Sequence, residues 1–295
     1  MTFVRIGGVP HHVVVEGSGP VCVLSAGLGL AWFDWDPVVP LLAPHRTVVR
    51  FDRPGHGLSA PATAAPTAAG EARRIAAVLD AAGLRDRPAT VVGHSIAGFH
   101  AEAFARLHPG RTTGVVLVDS SVEEYAAAPA APALRTAVAR AAGTALGAAG
   151  VPAAFGPPVR RLTVRLSRTG GGDPAPAEPV RAVYGTTRVL RGALLENAHY
   201  RAVAAELLAL RERRPLPPGA PVTVLAATSG GRGWTARQRA LALLLGARFR
   251  ETGPAGHLLM LDRPDAVAEA VLEPAVRPGG REPAPRAAPS SPPGR

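Results

Sequence analysis

Ser95 stands between unusually small residues, and it is the feature of the sequence with the clearest chemical potential. Residues 90–98 read TVVGHSIAG. A β-branched run ends at Gly93, two residues before the serine, and Ala97 and Gly98 come two and three residues after it. A serine on a sharp strand-to-helix turn needs small neighbours, in the consensus G-x-S-x-G, and Ala97 takes the last of these positions. Backbone N–H groups at the start of the following helix favour negative charge that develops beside the hydroxyl. The pattern predicts a nucleophilic serine; the alternative from the same residues is a serine that caps an ordinary helix.

His257 is the candidate general base for this nucleophile. The sequence ETGPAGHLL places it on a late loop, between the last predicted strand and the last predicted helix, and a histidine there can take the proton of a serine hydroxyl. Two backbone N–H groups must also converge on the oxyanion that forms. Ile96, directly after the serine, offers one, and Leu28, in the glycine-rich loop AGLG, offers the other. This chemistry requires no cofactor and no metal, and the pair His11–His12 lacks partner ligands for a metal site.

Strands and helices alternate along most of the chain and would position these residues. The runs TFVRI and HHVVVEG predict an N-terminal hairpin, and VCVLSA, TVVRFD, ATVVGHS and TGVVLVDSS predict buried strands. Helical patterns occur at 67–83 and directly after Ser95. The alternation stops at residues 122–216, whose helical pieces are broken by proline and glycine, and resumes with the strands PVTVLAA and ARFRET and two further helices. Apolar strands that alternate with helices predict a parallel sheet covered on both faces.

The domain organisation follows from this interruption. We predict the first part of a sheet domain at residues 1–121, a helical insertion at 122–216 and the second part of the sheet domain at 217–277. The remaining residues, 278–295, are rich in proline, arginine, glycine and serine and show no periodicity, which predicts a disordered tail.

Five motifs, in this order, resemble landmarks of the α/β-hydrolase fold serine hydrolases that carry a cap. They are SAGLGLAWFDW, RFDRPGHGLS, VVGHSIAGFHAEAFARLHP, VVLVDSS and GHLLMLDRPDAVAEAV, and the resemblance covers about residues 1–125 and 216–275. It implies an α/β fold with a mostly parallel, eight-stranded sheet flanked by helices and with residues 122–216 as a cap. It also implies a Ser-His-acid triad and an acyl-enzyme intermediate. The histidine that often precedes the oxyanion glycine in this family is Ala26 here, which matters little because backbone N–H groups form the hole.

The acid of the triad is where the sequence departs from most of these relatives. The family usually carries an aspartate after the strand read here as PVTVLAA, but this sequence continues TSGGRGW and has no carboxylate before Glu251. Some members carry the acid after the preceding strand, and that position corresponds to Asp119 in VVLVDSS. We therefore predict that Asp119 orients His257. The alternatives are Glu123 or Glu124 as the acid, with Asp119 capping a helix.

The resemblance implies hydrolysis of an ester-type bond in a small substrate, and the alanine, valine and leucine content of residues 122–216 suggests an apolar acyl or alcohol group. Dehalogenases and epoxide hydrolases of this fold use an aspartate nucleophile, and Ser95 argues against both. Carbon–carbon hydrolases, lyases, thioesterases and aminopeptidases keep a serine triad and remain alternatives, as does a non-catalytic ligand-binding module. Trp32 and Phe33 follow the glycine-rich loop and could line the substrate pocket or anchor that loop to the core. Asp52 and Arg53 are expected to shape their loop, and His94 is expected to pack beneath the turn that carries Ser95.

Composition excludes several other classes of protein. The formal charge of the 295-residue chain is +11, but every basic residue is an arginine, the arginines are scattered, and only 4% of the residues are aromatic. No nucleic-acid motif or base-stacking platform accompanies them, so we expect no nucleic-acid partner. The single Cys22 excludes an intramolecular disulfide and lies in an apolar run, which predicts burial. The N-terminus lacks an apolar signal core and no segment is long and apolar enough to span a membrane, which favours a cytoplasmic protein. The sequence does not indicate the oligomeric state.

Overall fold

The computed structural model describes residues 2–273, and the tail predicted at 278–295 lies outside the described residues. Eight strands form one sheet in the order β1-β2-β4-β3-β5-β6-β7-β8. Strand β2 is antiparallel to both of its neighbours, and the other neighbouring pairs are parallel. This confirms the predicted mostly parallel, eight-stranded sheet. The strands are β1 Thr2–Ile6, β2 Val9–Glu16, β3 Val21–Ser25, β4 Thr47–Phe51, β5 Ala89–His94, β6 Thr112–Val118, β7 Val222–Ala227 and β8 Arg248–Thr252.

Helices cover both faces of the sheet, which is why the central strands read as continuous apolar runs. Alternate residues of one strand enter different hydrophobic clusters: Val91 packs with the helices at 68–81 and 97–107 on one face, and Val92 packs with those at 39–42 and 264–272 on the other. Cys22 is fully buried on β3, as predicted, and burial raises the pKa of its thiol to about 12. The helices are α1 Val39–Leu42, α2 Ala68–Ala81, α3 Ala97–Leu107, α4 Pro132–Ala148, α5 Val151–Leu166, α6 Ala177–Tyr184, α7 Thr187–Arg213, α8 Gly231–Leu245, α9 Leu259–Asp262 and α10 Pro264–Leu272.

The chain between β6 and β7 forms the four helices α4 to α7, and we call residues 122–216 the helical insertion. Its longest helix, α7, runs for 27 residues. The later part of α7 contributes Val203, Ala204 and Leu207 to the cluster beneath the sheet, so this helix packs on the sheet domain. The insertion is therefore joined to the rest of the molecule through a shared core.

The prediction that prolines break the helices of the insertion is wrong for α5. This helix continues through Pro157 and Pro158, although each proline removes a backbone donor and crowds the preceding turn. After these prolines, Arg160 is buried and ion-paired with Asp34 and with Asp173, the latter at 3.1 Å from Nε to Oδ2, which ties this helix to the rest of the molecule. No helix within residues 2–273 is long and apolar enough to cross a membrane.

Candidate active site

Ser95 occupies a strained turn between β5 and α3. Its φ is +54°, a left-handed conformation that residues other than glycine rarely adopt and that the surrounding structure must hold in place. A Cβ atom on Gly93 would overlap the carbonyl oxygen of Ala97, so only glycine fits at this position of the turn. The Ser95 amide donates to the Val118 carbonyl at 3.2 Å, and the Ser95 carbonyl accepts from the Ser121 amide at 3.0 Å. The turn is therefore the sharp strand-to-helix connection that the short motif predicts.

Asp119 and His257 are in direct contact. Asp119 directly follows β6, has a φ of +40°, and accepts a hydrogen bond at Oδ2 from His257 Nδ1 at 2.6 Å. Its second carboxylate oxygen, Oδ1, accepts from the Ala227 amide at 2.9 Å and from Trp234 Nε1 at 2.7 Å. The carboxylate is thus buried with three donors, while the His257 side chain is 41% exposed. A carboxylate held in this way fixes the proton of the imidazole on Nδ1 and leaves Nε2 free to accept a proton.

His94 supports this histidine from below, as expected from its place beside the nucleophile. Its Nε2 lies 2.9 Å from the His257 carbonyl oxygen, which can only accept, so Nε2 carries the proton. The two imidazole rings are 4.7 Å apart between centroids. Burial, and then the neighbouring His257, lower the pKa of His94 well below its ordinary value. His94 is therefore neutral and does not place a second positive charge beside the candidate base.

The glycine-rich loop after β3 lies against the serine. A Cβ on Gly27 would stand 2.6 Å from His94 Nδ1 and 3.2 Å from Ser95 Cβ, so the loop can approach this closely only with glycine at that position. The structure thus brings the peptide between Gly27 and Leu28 beside Ser95, and Ile96 directly follows the serine in the chain. Their N–H groups remain the predicted oxyanion hole.

Comparison with known proteins gives the family. A family model described as the alpha/beta hydrolase family matches residues 22–270. The chain belongs to the alpha/beta hydrolase family. The solved structures agree on the fold: Cfl2 from Burkholderia cenocepacia has a TM-score of 0.71 at 21% identity, covering 91% of this chain and 92% of that one. The enol-lactonase from Burkholderia xenovorans has a TM-score of 0.64 at 24% identity, covering 92% of this chain and 98% of that one.

A curated relative matches a shorter segment. A protein of Azorhizobium caulinodans that carries the provisional name carbamate hydrolase RutD is 32% identical over 119 residues, which is 40% of this chain and 44% of that protein. The matched segment thus spans less than half the length of this relative. Membership of the family establishes the alpha/beta hydrolase fold.

The alternative acids lie elsewhere in this alpha/beta hydrolase. Glu123 is near the Tyr200 hydroxyl, and burial together with this carboxylate raises the pKa of that tyrosine. Glu124 is exposed to solvent. Among the residues that the structure describes, Asp119 is the carboxylate paired with His257.

Trp32 and Phe33 pack between the glycine-rich loop and the helical insertion. They lie in a short 3₁₀ turn, are 6% and 3% exposed, and meet edge to face with their ring centroids 4.9 Å apart. Asp52 holds the start of this turn, because its Oδ1 accepts from the Trp32 amide at 2.9 Å. The contacts favour the anchoring role for both aromatic residues, and their part in binding substrate stays a prediction. Their hydrophobic cluster is completed by Val180, Val183 and Val189 of the insertion.

Two features of the site were not predicted from the sequence. Trp234 was part of a loop notable only for lacking a carboxylate, yet its indole binds Asp119. Arg53 was expected to shape its own loop, but it also reaches Gly27 and Glu196, which is 143 residues away in the chain. No group of three or more histidine, cysteine or acidic residues within residues 2–273 could hold a metal ion.

Proposed function

We propose that this protein is a serine hydrolase that cleaves an ester-type bond in a small, apolar molecule. The observation that carries the proposal is the 2.6 Å hydrogen bond between His257 Nδ1 and Asp119 Oδ2. The serine on the strained turn is hydrogen-bonded through its backbone to Val118 and Ser121, on either side of Asp119. Three residues from separate parts of the chain, Ser95, Asp119 and His257, are thereby assigned the roles of nucleophile, orienting acid and general base.

The reaction follows from these roles. His257 Nε2 takes the proton of the Ser95 hydroxyl, whose oxygen attacks the carbonyl carbon and forms a tetrahedral intermediate. The Leu28 and Ile96 N–H groups donate to its negatively charged oxygen. The intermediate collapses when the imidazolium gives its proton to the departing alcohol, which leaves an acyl group on the serine. A water molecule, deprotonated by the same imidazole, then attacks the acyl carbonyl, and the imidazolium returns this proton to the Ser95 oxygen as the acid is released.

The substrate class rests on weaker support. The names of the relatives refer to a carbamate and to an enol-lactone, and both contain a carbonyl joined to a heteroatom that can leave. The insertion, in the role of a cap, is rich in alanine, valine and leucine, which favours an apolar group on the substrate. The proposal is therefore an acyl transfer to water with an apolar substituent on the substrate.

Labelling with a fluorophosphonate probe tests the nucleophile directly. We expect mass spectrometry to locate the label on Ser95 and to find none in Ser95→Ala. Ser18→Ala is the matched control, since Ser18 is an exposed serine in a loop between β2 and β3. Labelling should persist in this control. Absence of labelling in the wild type, together with measurable binding of an ester, would favour a non-catalytic binding module.

A chromogenic substrate panel tests the reaction. The panel holds esters of graded acyl length, a thioester, a carbamate, a lactone and an aminoacyl anilide, because thioesterases and aminopeptidases use the same triad. We expect the esters to be hydrolysed fastest. Ser95→Ala should lower turnover by several orders of magnitude and leave about 10³–10⁴-fold over water from the oxyanion hole and binding. Near-normal ester turnover in that variant would contradict the proposal.

A further inference from the structure

Arg53 links the helical insertion to the loop beside the nucleophile. Its side chain is 4% exposed. It donates to the Ala26 carbonyl and, at 2.9 Å, to the Gly27 carbonyl. It also forms a two-pronged ion pair with Glu196 of α7, at 2.8 Å from Nε to Oε1 and at 2.9 Å from Nη2 to Oε2. One buried guanidinium thus holds two consecutive carbonyl groups of the glycine-rich loop and one carboxylate of the insertion.

The Gly27 carbonyl is significant because it shares a peptide unit with the Leu28 N–H. In a trans peptide these two groups point in opposite directions within one plane, so fixing the carbonyl fixes the direction of the N–H. The Gly27 carbonyl also accepts from the Leu30 amide at 3.1 Å, which leaves the peptide little freedom to rotate. A positive charge at the carbonyl end further polarises the unit and makes the N–H a stronger donor.

We propose that Arg53 is a positioning residue for hydrolysis: it aims the Leu28 N–H at the oxyanion, and Glu196 in turn aims Arg53. This inference rests on the proposed function, since it assigns a role in the same site. It makes the oxyanion hole depend on the position of α7, which the insertion supplies. The position of α7 is thereby coupled to the group that stabilises the transition state.

The charges of this pair persist because each supports the other. Burial alone would raise the pKa of Glu196, but the adjacent Arg53 and His56 hold it well below its ordinary value. Burial alone would lower the pKa of Arg53, and Glu196 outweighs this so that the pKa is raised. The pair is ionised throughout the range in which the enzyme would work. Replacing Arg53 alone would leave a buried carboxylate without a partner.

The test therefore removes both charges together. In the double variant Arg53→Met/Glu196→Met, both charges of the ion pair are removed, His56 Nε2 loses its 3.2 Å contact with Glu196 Oε2, and the Gly27–Leu28 peptide loses its support. We expect the double variant to fold, KM for an ester to change little, and kcat to fall at least tenfold and by up to about 10²–10³-fold, the loss that follows removal of one oxyanion-hole donor. A boronic acid, which mimics the tetrahedral intermediate, should lose affinity by the same factor as kcat/KM. Affinity for the product acid should be unchanged.

Arg188→Met is the matched control. Arg188 also extends from α7 and donates to the carbonyls of His56, Gly57 and Ser59, but it does not contact the Gly27–Leu28 peptide. We expect its kcat and boronic acid affinity to stay within about threefold of the wild type. Circular dichroism and thermal unfolding establish that both variants are folded.

The outcomes separate this inference from the function on which it rests. A folded double variant whose kcat and boronic acid affinity match those of the wild type, while Ser95→Ala is inactive, overturns the role of Arg53 and leaves the hydrolase intact. An equal loss of kcat and of boronic acid affinity in the Arg188 control also overturns it. The effect would then follow from disturbing any contact between α7 and the sheet domain, and not from the loss of Arg53. Full turnover in Ser95→Ala overturns the proposed function itself.

Discussion

Replacing Asp119 by asparagine exchanges one carboxylate oxygen for an NH₂ group at the centre of the proposed triad. The Oδ1 of Asp119 accepts from the Ala227 amide and from Trp234 Nε1. An asparagine can keep its carbonyl oxygen facing these two donors, which turns its NH₂ group towards His257. That group can only donate, so Nδ1 of the imidazole must give up its proton and Nε2 must carry it. A protonated Nε2 cannot take the proton of Ser95.

The size of the effect follows from this change of tautomer. We expect Asp119→Asn to lower kcat by about 10⁴-fold, the loss typical when the orienting carboxylate of a triad becomes an amide, which corresponds to about 5 kcal/mol of transition-state stabilisation. Stability should change little, since both donors to Oδ1 keep an acceptor. Asp119→Ala instead leaves the buried Ala227 amide and the half-buried Trp234 indole without their acceptor, each at a cost of about 1–3 kcal/mol. That variant should therefore be less stable by about 2–6 kcal/mol.

The assay compares Asp119→Asn with Glu123→Gln, which makes the same chemical change at the alternative acid. Ester hydrolysis is followed under saturating substrate, and active sites are titrated with fluorophosphonate so that traces of wild-type enzyme cannot mimic residual activity. We expect kcat to collapse in Asp119→Asn and to remain near the wild-type value in Glu123→Gln. The reverse order would refute the assignment of the acid. Equal, small effects in both would refute the idea that a carboxylate orients His257.

Two other changes probe the surroundings of the site. Trp234→Phe removes one hydrogen bond to the buried Asp119 carboxylate, so the free energy of unfolding should fall by about 1.5–3 kcal/mol. The kcat for an ester should fall far less than in Asp119→Asn. Chemical denaturation measures the stability and ester kinetics measure kcat, and an unaltered stability would contradict the contact. His100 is fully buried, and burial lowers its pKa to about 4. The unfolded chain then binds a proton that the folded chain does not, so stability should be fully present above pH 6.5 and should decline by about 3 kcal/mol as the pH falls to 4. Urea unfolding of His100→Leu between pH 4 and 7 should lack this part of the slope, and an unchanged slope would assign the acid sensitivity to other groups.

The parts of this structure that local sequence predicts are those set by burial and by backbone geometry. Strands such as Val21–Ser25 are covered on both faces, and their continuous apolar sequence predicts this burial directly. The turn at Ser95 admits only small neighbours, and the glycine at position 93 indicates this requirement in the sequence. The contacts of Arg53 with Glu196 escape such reasoning, because either residue alone reads as an ordinary surface charge. Likewise the helix α5 continues through two prolines, and its Arg160 pairs with Asp34, a contact between distant parts of the chain that the local sequence does not indicate.

The position of the acid explains why the loop after β7 lacks a carboxylate. Strands β6 and β7 are parallel neighbours, with Val118 opposite Leu225, so their carboxyl ends reach the same point at the edge of the sheet. The Asp119 amide donates to the Leu225 carbonyl at 2.8 Å, and the left-handed backbone at Asp119 turns its carboxylate across the end of β7, where the Ala227 amide binds it. An acid after β7 would compete for the same face of the imidazole and would repel Asp119. The loop after β7 carries the Trp234 indole instead, and a donor rather than a second negative charge is what a buried carboxylate at this point requires.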